Sequence, residues 1–366
     1  MAAIPGKLLV GVGATLVVGA LALLSSDAGR GGAAGCAGVW AGAPVAAVAP
    51  GDPVVLAAGD IASCASGGDE ATATLLDSLA GTVITLGDNV YENGSALEFA
   101  SCYGPSWGRH LARTMPAAGN HDYNTAGAAG YYGYFGAAAG DPAKGYYSYD
   151  VGVWHLVAIN SNCAAIGGCG AGSPQEVWLR GDLAAHPAAC TLAYWHHPRF
   201  SSGSTHGDTP AMQPIWQALQ DAHAEIVLSG HEHNYERFAP QTGAGIADPY
   251  GIVEFVVGTG GRSHYGFGAP RANSLVRNGD AYGVLKLTLH AASYDWEFVP
   301  EAGQAFADAG TADCQSQPVS VGGVAEQADV APAPAADRGY EGYVLGAVGA
   351  VLIGAAGLAG WRRRRA

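Results

Sequence analysis

Five short apolar runs in this chain each end in a residue able to bind a metal ion. Val54–Ala58 leads into Gly59-Asp60, Val83–Leu86 into Gly87-Asp88, and Met115–Ala118 into Gly119-Asn120-His121-Asp122. Thr191–Trp195 leads into His196-His197, and Glu225–Ser229 into Gly230-His231-Glu232-His233. Singly, Gly-Asp is an ordinary turn and a lone histidine is more often structural than a ligand. The order and spacing of all five, each after its own strand-like run, point instead to one polar site. Carboxylate, amide and imidazole are metal donors, and Tyr91, three residues after Asp88, adds a phenol.

The elements that must position these residues alternate between two periods. Thr72–Ala80 has helical spacing, as does Gln213–Ala222. Ser173 is an N-cap, with Pro174 at the first position of a helix reaching about His186. Tyr146–Asp150 and Val153–Asn160 read as a hairpin, and Gly251–Val257, Tyr282–His290 and Ser293–Phe298 as further strands. Alternating strands and helices argue an α/β fold with a mostly parallel or mixed sheet. In such folds ligands bind in the crevice beyond the carboxyl ends of the strands. Asp60, Asp88, Asn120, His196, His231 and His233 would meet there.

The combination resembles the calcineurin-like metallophosphoesterases. Gly87-Asp88-Asn89-Val90-Tyr91 narrows the resemblance to their purple acid phosphatase branch, whose Gly-Asp-x-x-Tyr supplies a tyrosine ligand. The likeness runs from about Pro53 to about Pro300 and takes in Gln175-x-x-Trp178-Leu179 and Asn234-Tyr235-Glu236-Arg237. It implies a four-layer α/β/β/α sandwich with two mixed sheets, of the small single-domain type. It also implies two cations, iron(III) and a partner that is zinc, manganese or iron(II). Asp60, Asp88, Tyr91 and His233 would hold the first, and Asp88, Asn120, His196 and His231 the second, with Asp88 bridging. This sequence departs from the pattern at Ala62, where a second glycine is usual, and at Asp122, where many relatives have glutamate.

The implied reaction is hydrolysis of small phosphomonoesters by attack of a metal-bound hydroxide. A leaving alkoxide then needs a proton. His121, with Asp122 to orient it, is one candidate donor; His206, in the loop Ser201–Asp208, is another, and His197 a third. The alternatives are action on phosphodiesters or nucleotides from the same fold, or a non-catalytic surface binding protein.

Charge and the ends of the chain bear on location. Residues 31–341 hold eleven basic against thirty acidic side chains, which disfavours nucleic acid as a partner. Lys7 followed by the uncharged apolar run Leu8–Leu24 is a secretory signal pattern, with an uncleaved membrane helix as its alternative. Residues 1–47 are assigned to this leader and 48–314 to the catalytic domain. The Ala/Pro-rich stretch 315–341 has a linker composition. Residues 342–361 are twenty apolar residues, about 30 Å as a helix, followed by Arg362–Arg365. That pattern predicts a membrane anchor over 342–366 with the rest of the protein outside, or a sorting signal that is cut. Seven cysteines without a Cys-x-x-Cys pair fit an exported protein. Cys163 with Cys169, Cys64 with Cys102 and Cys190 with Cys314 could pair, one of the fifteen connectivities that six cysteines allow, leaving Cys36 over.

Overall fold

The apolar runs are strands, and most are buried on both faces. The computed structural model describes residues 51–315. Its strands are β1 (Val54–Ala58), β2 (Thr82–Leu86), β3 (Thr114–Ala117), β4 (Tyr147–Val151), β5 (Trp154–Ala158), β6 (Cys190–Tyr194) and β7 (Ile226–Ser229). They continue with β8 (Tyr235–Phe238), β9 (Val253–Val257), β10 (Ser274–Asn278), β11 (Gly283–Leu289), β12 (Ser293–Pro300) and β13 (Ala309–Asp313). One sheet is ordered β13-β12-β11-β1-β2-β3 and the other β10-β8-β9-β7-β6-β5-β4. Both are mixed. β1, β2 and β3 are parallel, with β11 antiparallel to β1. β5, β6, β7 and β9 are parallel, with antiparallel β4 and β8 outside them.

Period-two alternation divides the interior. Leu156, Leu192, Leu228 and Phe255 share one core with Val55, Ile84 and Leu285 of the other sheet. Their neighbours Val157, Ala193, Val227 and Val256 face a second core. That core is closed by Leu179 and Leu183 of helix Pro174–Ala185 and by Ile215, Trp216 and Leu219 of helix Gln213–Asp221. Helix Gly68–Ser78 buries Ala73 and Leu76 on the first sheet. The layers are therefore α/β/β/α, as the resemblance implied. Leu219, fully buried on the helix side, illustrates the energetics: truncation to alanine in such a site costs about 2–5 kcal/mol.

The helix at Pro174 begins as read, Ser173 Oγ accepting from Glu176 N at 3.4 Å. Several elements had no readable pattern. β8 is four residues long and carries Glu236 and Arg237; its buried Glu236 accepts from Ser202 N at 2.7 Å and Ser274 Oγ at 2.6 Å. The turns through 96–113, helix Ala129–Phe135, β10 and β13 were likewise missed, because Gly-rich or polar sequence there is held by neighbours rather than by its own period. Three disulfides form, Cys64–Cys102, Cys163–Cys169 and Cys190–Cys314. The last ties the segment after β13 to the start of β6. Cys36, the leader, the linker beyond Gln315 and the apolar segment 342–361 lie outside the described residues. Among the described residues no helix is long and apolar enough to cross a membrane.

Candidate metal centre

The parallel strands of both sheets end at one edge. Gly59 N donates to Val257 O at 2.9 Å and Gly230 N to His196 O at 2.9 Å, so the loops after β1, β6, β7 and β9 are stitched to one another. Two glycines permit the approach. A Cβ on Gly87, whose φ is +83°, would lie 2.6 Å from the His196 ring. One on Gly119 would lie 2.1 Å from the Asp88 carboxylate. Asp60, Asp88 and His231 hold positive φ of 59°, 47° and 70°. Non-glycine residues adopt that region at a cost, and such strain gathers at functional sites.

All seven ligand candidates from the sequence are brought together, in two overlapping groups. In the first, the Tyr91 hydroxyl is 2.8 Å from Asp60 Oδ1, 3.0 Å from Asp88 Oδ2 and 3.1 Å from His233 Nε2. In the second, His196 Nε2 is 3.3 Å from Asp88 Oδ2, 3.0 Å from Asn120 Oδ1 and 3.1 Å from His231 Nδ1. Asp88 Oδ2 belongs to both.

The remaining polar atoms are spent on orientation. The second oxygen of Asp88 accepts from His121 N at 2.7 Å, and that of Asp60 from His231 N at 2.8 Å. His196 Nδ1 meets Leu86 O at 2.8 Å, which assigns it the proton and turns the lone pair of Nε2 inward. His233 Nδ1 meets Ser263 Oγ at 2.7 Å.

This donor set fits a pair of cations. One phenolic proton cannot satisfy three acceptors, and His196 Nε2 points its lone pair at two oxygens. Burial, then the Asp60 and Asp88 carboxylates, push the Tyr91 phenol well above its ordinary pKa, so without a cation it stays protonated. Burial disfavours a charged His196, but the Asp88 carboxylate outweighs it and raises the ring to about 9. Protons thus stand where cations would satisfy the same lone pairs. His231, beside His196, is pushed down by burial and by its histidine neighbours.

The proton-donor candidates fare differently. The His121 ring tilts over Tyr91 at 4.3 Å, with Nε2 4.0 Å from Asp88 Oδ2. The exposed His206 ring stacks on His231 at 4.0 Å. His121 thus borders the first group and His206 the second. Asp122 does not orient His121. Its Oδ2 accepts from Gly119 N at 2.9 Å and Asn89 Nδ2 at 2.9 Å, while His121 Nδ1 meets Glu92 O at 2.7 Å. The Asp122 carboxyl is fully buried and is raised to about 7 by burial and then by Asp88, so it ties two ligand loops together from beneath. His197 turns its Nδ1 to Ser161 Oγ at 2.8 Å, with its ring 4.4 Å from that of His231. Burial and His196 lower it to about 3, so it stays neutral.

The loop after β9 was not anticipated. Its Ser263 supports His233, Tyr265 stacks on the His233 ring at 3.9 Å, and Arg262 lies over Tyr91 at 5.1 Å. The signal was available: Gly258-Thr259-Gly260-Gly261 follows an apolar strand, as Gly59, Gly87 and Gly119 do.

A family model described as calcineurin-like phosphoesterase matches residues 53–235, half of the chain. Over 125 residues the chain is 32% identical to purple acid phosphatase 22 of Arabidopsis thaliana, covering 32% of this chain and 27% of the relative. Over 220 residues it is 27% identical to purple acid phosphatase 23 of the same plant, covering 49% and 46%. The chain therefore spans less than half the length of these curated relatives. Purple acid phosphatase PPD1 from yellow lupin seeds shares the fold, with a TM-score of 0.57 at 20% identity over 72% of this chain and 54% of that one. So does GAP50, the anchor in the inner membrane complex of Plasmodium, with a TM-score of 0.56 at 14% identity over 73% and 90%.

Proposed function

Because the chain belongs to the calcineurin-like phosphoesterase family and is purple acid phosphatase-like, we propose that it is a two-metal acid phosphatase acting on small phosphomonoesters outside the cell. The family implies a dinuclear centre and phosphoester hydrolysis. The observation that carries the reading is the place of Asp88 Oδ2, in contact with Tyr91 on one side and His196 on the other. Asp60, Asp88, Tyr91 and His233 would hold one cation, and Asp88, Asn120, His196 and His231 the other. The phenolate suits iron(III), and imidazole and amide suit zinc, manganese or iron(II). Two such cations, when bound, would supply an acidified water and charge neutralisation for phosphoryl transfer.

The chain's own residues do the rest. The backbone N–H groups of His121 and His231 keep both carboxylates turned inward. Leu86 O and Ser263 Oγ fix the rings of His196 and His233. His121 and His206, at the mouth, give the leaving alkoxide its proton. Three disulfides are compatible with an exported domain. Residues 342–361 would tether it.

The test is turnover of p-nitrophenyl phosphate against its bis ester by protein loaded with iron and zinc. Preference for the monoester supports the reading. Preference for the bis ester makes the protein a diesterase. Activity on neither, with both metals bound, leaves a binding protein.

A further inference from the structure

One basic side chain stands over the centre, and it is already holding a carboxylate. The Arg262 guanidinium lies 5.1 Å above the Tyr91 ring and pairs through Nη2 with Glu92 Oε1. Its backbone is fixed. Arg262 N donates to Asp60 O at 2.9 Å, and the preceding Gly261 is so close to the neighbouring helix that a Cβ would lie 2.1 Å from Asp69 N. The side chain is therefore aimed from a rigid base. Among the described residues, Arg109 pairs with Asp77, Arg237 with Asp308, Arg271 with Asp208 and Lys286 with Glu297.

The Arg262 side chain is 26% exposed and its partner Glu92 57% exposed, so the pair sits at the rim and opens to solvent. An ion pair of this exposure is worth about 0–1 kcal/mol and is readily exchanged. Glu92 can swing away without dismantling the site. Its hydrogen bonds to the ligand loops come from its backbone: Glu92 O accepts from His121 Nδ1 at 2.7 Å and from Asn124 Nδ2 at 2.9 Å, while the side-chain Oε2 stays 3.9 Å from that same ring nitrogen.

A guanidinium fork matches phosphate and carboxylate alike. It stands over the Tyr91 ring, at the edge of the group formed by Asp60, Asp88, Tyr91 and His233. It is placed for a neighbouring group. Resting on the two-metal phosphatase reading, we propose that Arg262 is a specificity residue for substrates carrying a second anionic group beside the scissile phosphate. In the free protein the Glu92 carboxylate occupies its fork as a stand-in for that group. The domain's excess of acidic residues repels polyanions in general, so selectivity for them requires one local cation of this kind.

Arg262→Ala and Glu92→Gln test this in opposite directions. The substrates are phenyl phosphate (no second anion), pyrophosphate (a second phosphate) and 2-phosphoglycolate (a carboxylate), with zinc- and iron-loaded protein. Binding of non-hydrolysable imidodiphosphate against orthophosphate is measured in parallel by calorimetry. In Arg262→Ala the kcat/KM ratio of pyrophosphate or phosphoglycolate to phenyl phosphate falls about tenfold, and imidodiphosphate loses its advantage over orthophosphate. In Glu92→Gln, which removes the competing negative charge from the guanidinium, both quantities rise. Whichever of the two substrates responds identifies the group. Ratios that stay constant in both variants, or fall together as a purely structural ion pair would make them, overturn the proposal while phenyl phosphate turnover keeps the phosphatase reading. If no ester is turned over, that reading fails, and equal imidodiphosphate binding by wild type and Arg262→Ala removes this one as well.

Discussion

The Tyr91 hydroxyl lies 3.0 Å from Oδ2 of Asp88, three residues earlier in the same loop. That oxygen is the one that also faces His196 Nε2, at 3.3 Å. A five-residue motif thus supplies a phenol to one side of the centre and an oxygen shared with the other. Isolated bridge pairing of Ala62 with Val90 holds the two loops in register just past the strands, so the spacing in sequence becomes a fixed spacing in space.

Asp88→Ala is expected to lose both metals, since one oxygen stands in both groups. Removing His196 instead weakens one site. Elemental analysis of the purified variants checks this. Two metals retained by Asp88→Ala would remove the bridging role, and total loss in His196→Ala would mean the two sites are not separable.

Tyr91→Phe is expected to abolish colour. A phenolate on iron(III) absorbs in the visible, so iron-loaded wild type should be pink to purple and the variant pale, with its first metal weakened. Ferric iron ionises water at lower pH than a divalent cation, so an acid optimum accompanies the colour. A colourless iron-loaded wild type, or an unchanged spectrum in Tyr91→Phe, would mean that the phenol only packs over the site.

Asp69 predicts a pH dependence of stability away from the centre. It is buried in the first turn of helix Gly68–Ser78, its Oδ1 has no partner, and burial raises it from 3.8 to about 7. The folded state therefore keeps a proton that the unfolded chain releases. The stabilisation is complete below about pH 4 and is lost as pH rises through about 7. Asp69→Asn cannot titrate, so its stability relative to wild type should grow between those limits, by up to about 1.4 kcal/mol per pH unit. Urea unfolding at pH 5 and pH 8 measures the gap; a gap that shrinks with pH refutes it.

Replacing Cys190 and Cys314 together by alanine should destabilise the domain by about 2–4 kcal/mol, because that bridge closes 124 residues of chain. Opening Cys163–Cys169, six residues apart, should cost less. Thermal melts of the two double variants order them, and the reverse order would show that strain or local packing outweighs loop closure.

Deleting the chain from Tyr340 onward should release active protein into the medium. Fractionation of cells expressing both forms decides it. Full-length protein found soluble inside the cell with its N-terminus intact would remove leader and anchor together.

The candidate donors were legible in the sequence because Asp60, Asp88, Asn120 and His231 each follow a glycine just past a strand and His196 closes an apolar run, with Tyr91 and His233 further along the same loops. Gly87 and Gly119 are there for a local reason, since no larger residue lets Asp88 approach His196 and Asn120. The strands themselves were legible because burial on both faces demands continuous apolar runs. The tertiary structure alone decided what faces the ligands from elsewhere. Asp122 looked like a partner for its neighbour His121, yet it turns beneath to Gly119 and Asn89, because the chain reverses there and the interior offers those donors. Arg262 and Ser263 lie about thirty residues beyond His233, and only the pairing of β9 with β7 and β8 returns them to it. Sequence spacing determined the donors along each strand end; the crossing of two sheets determined which of them share a space.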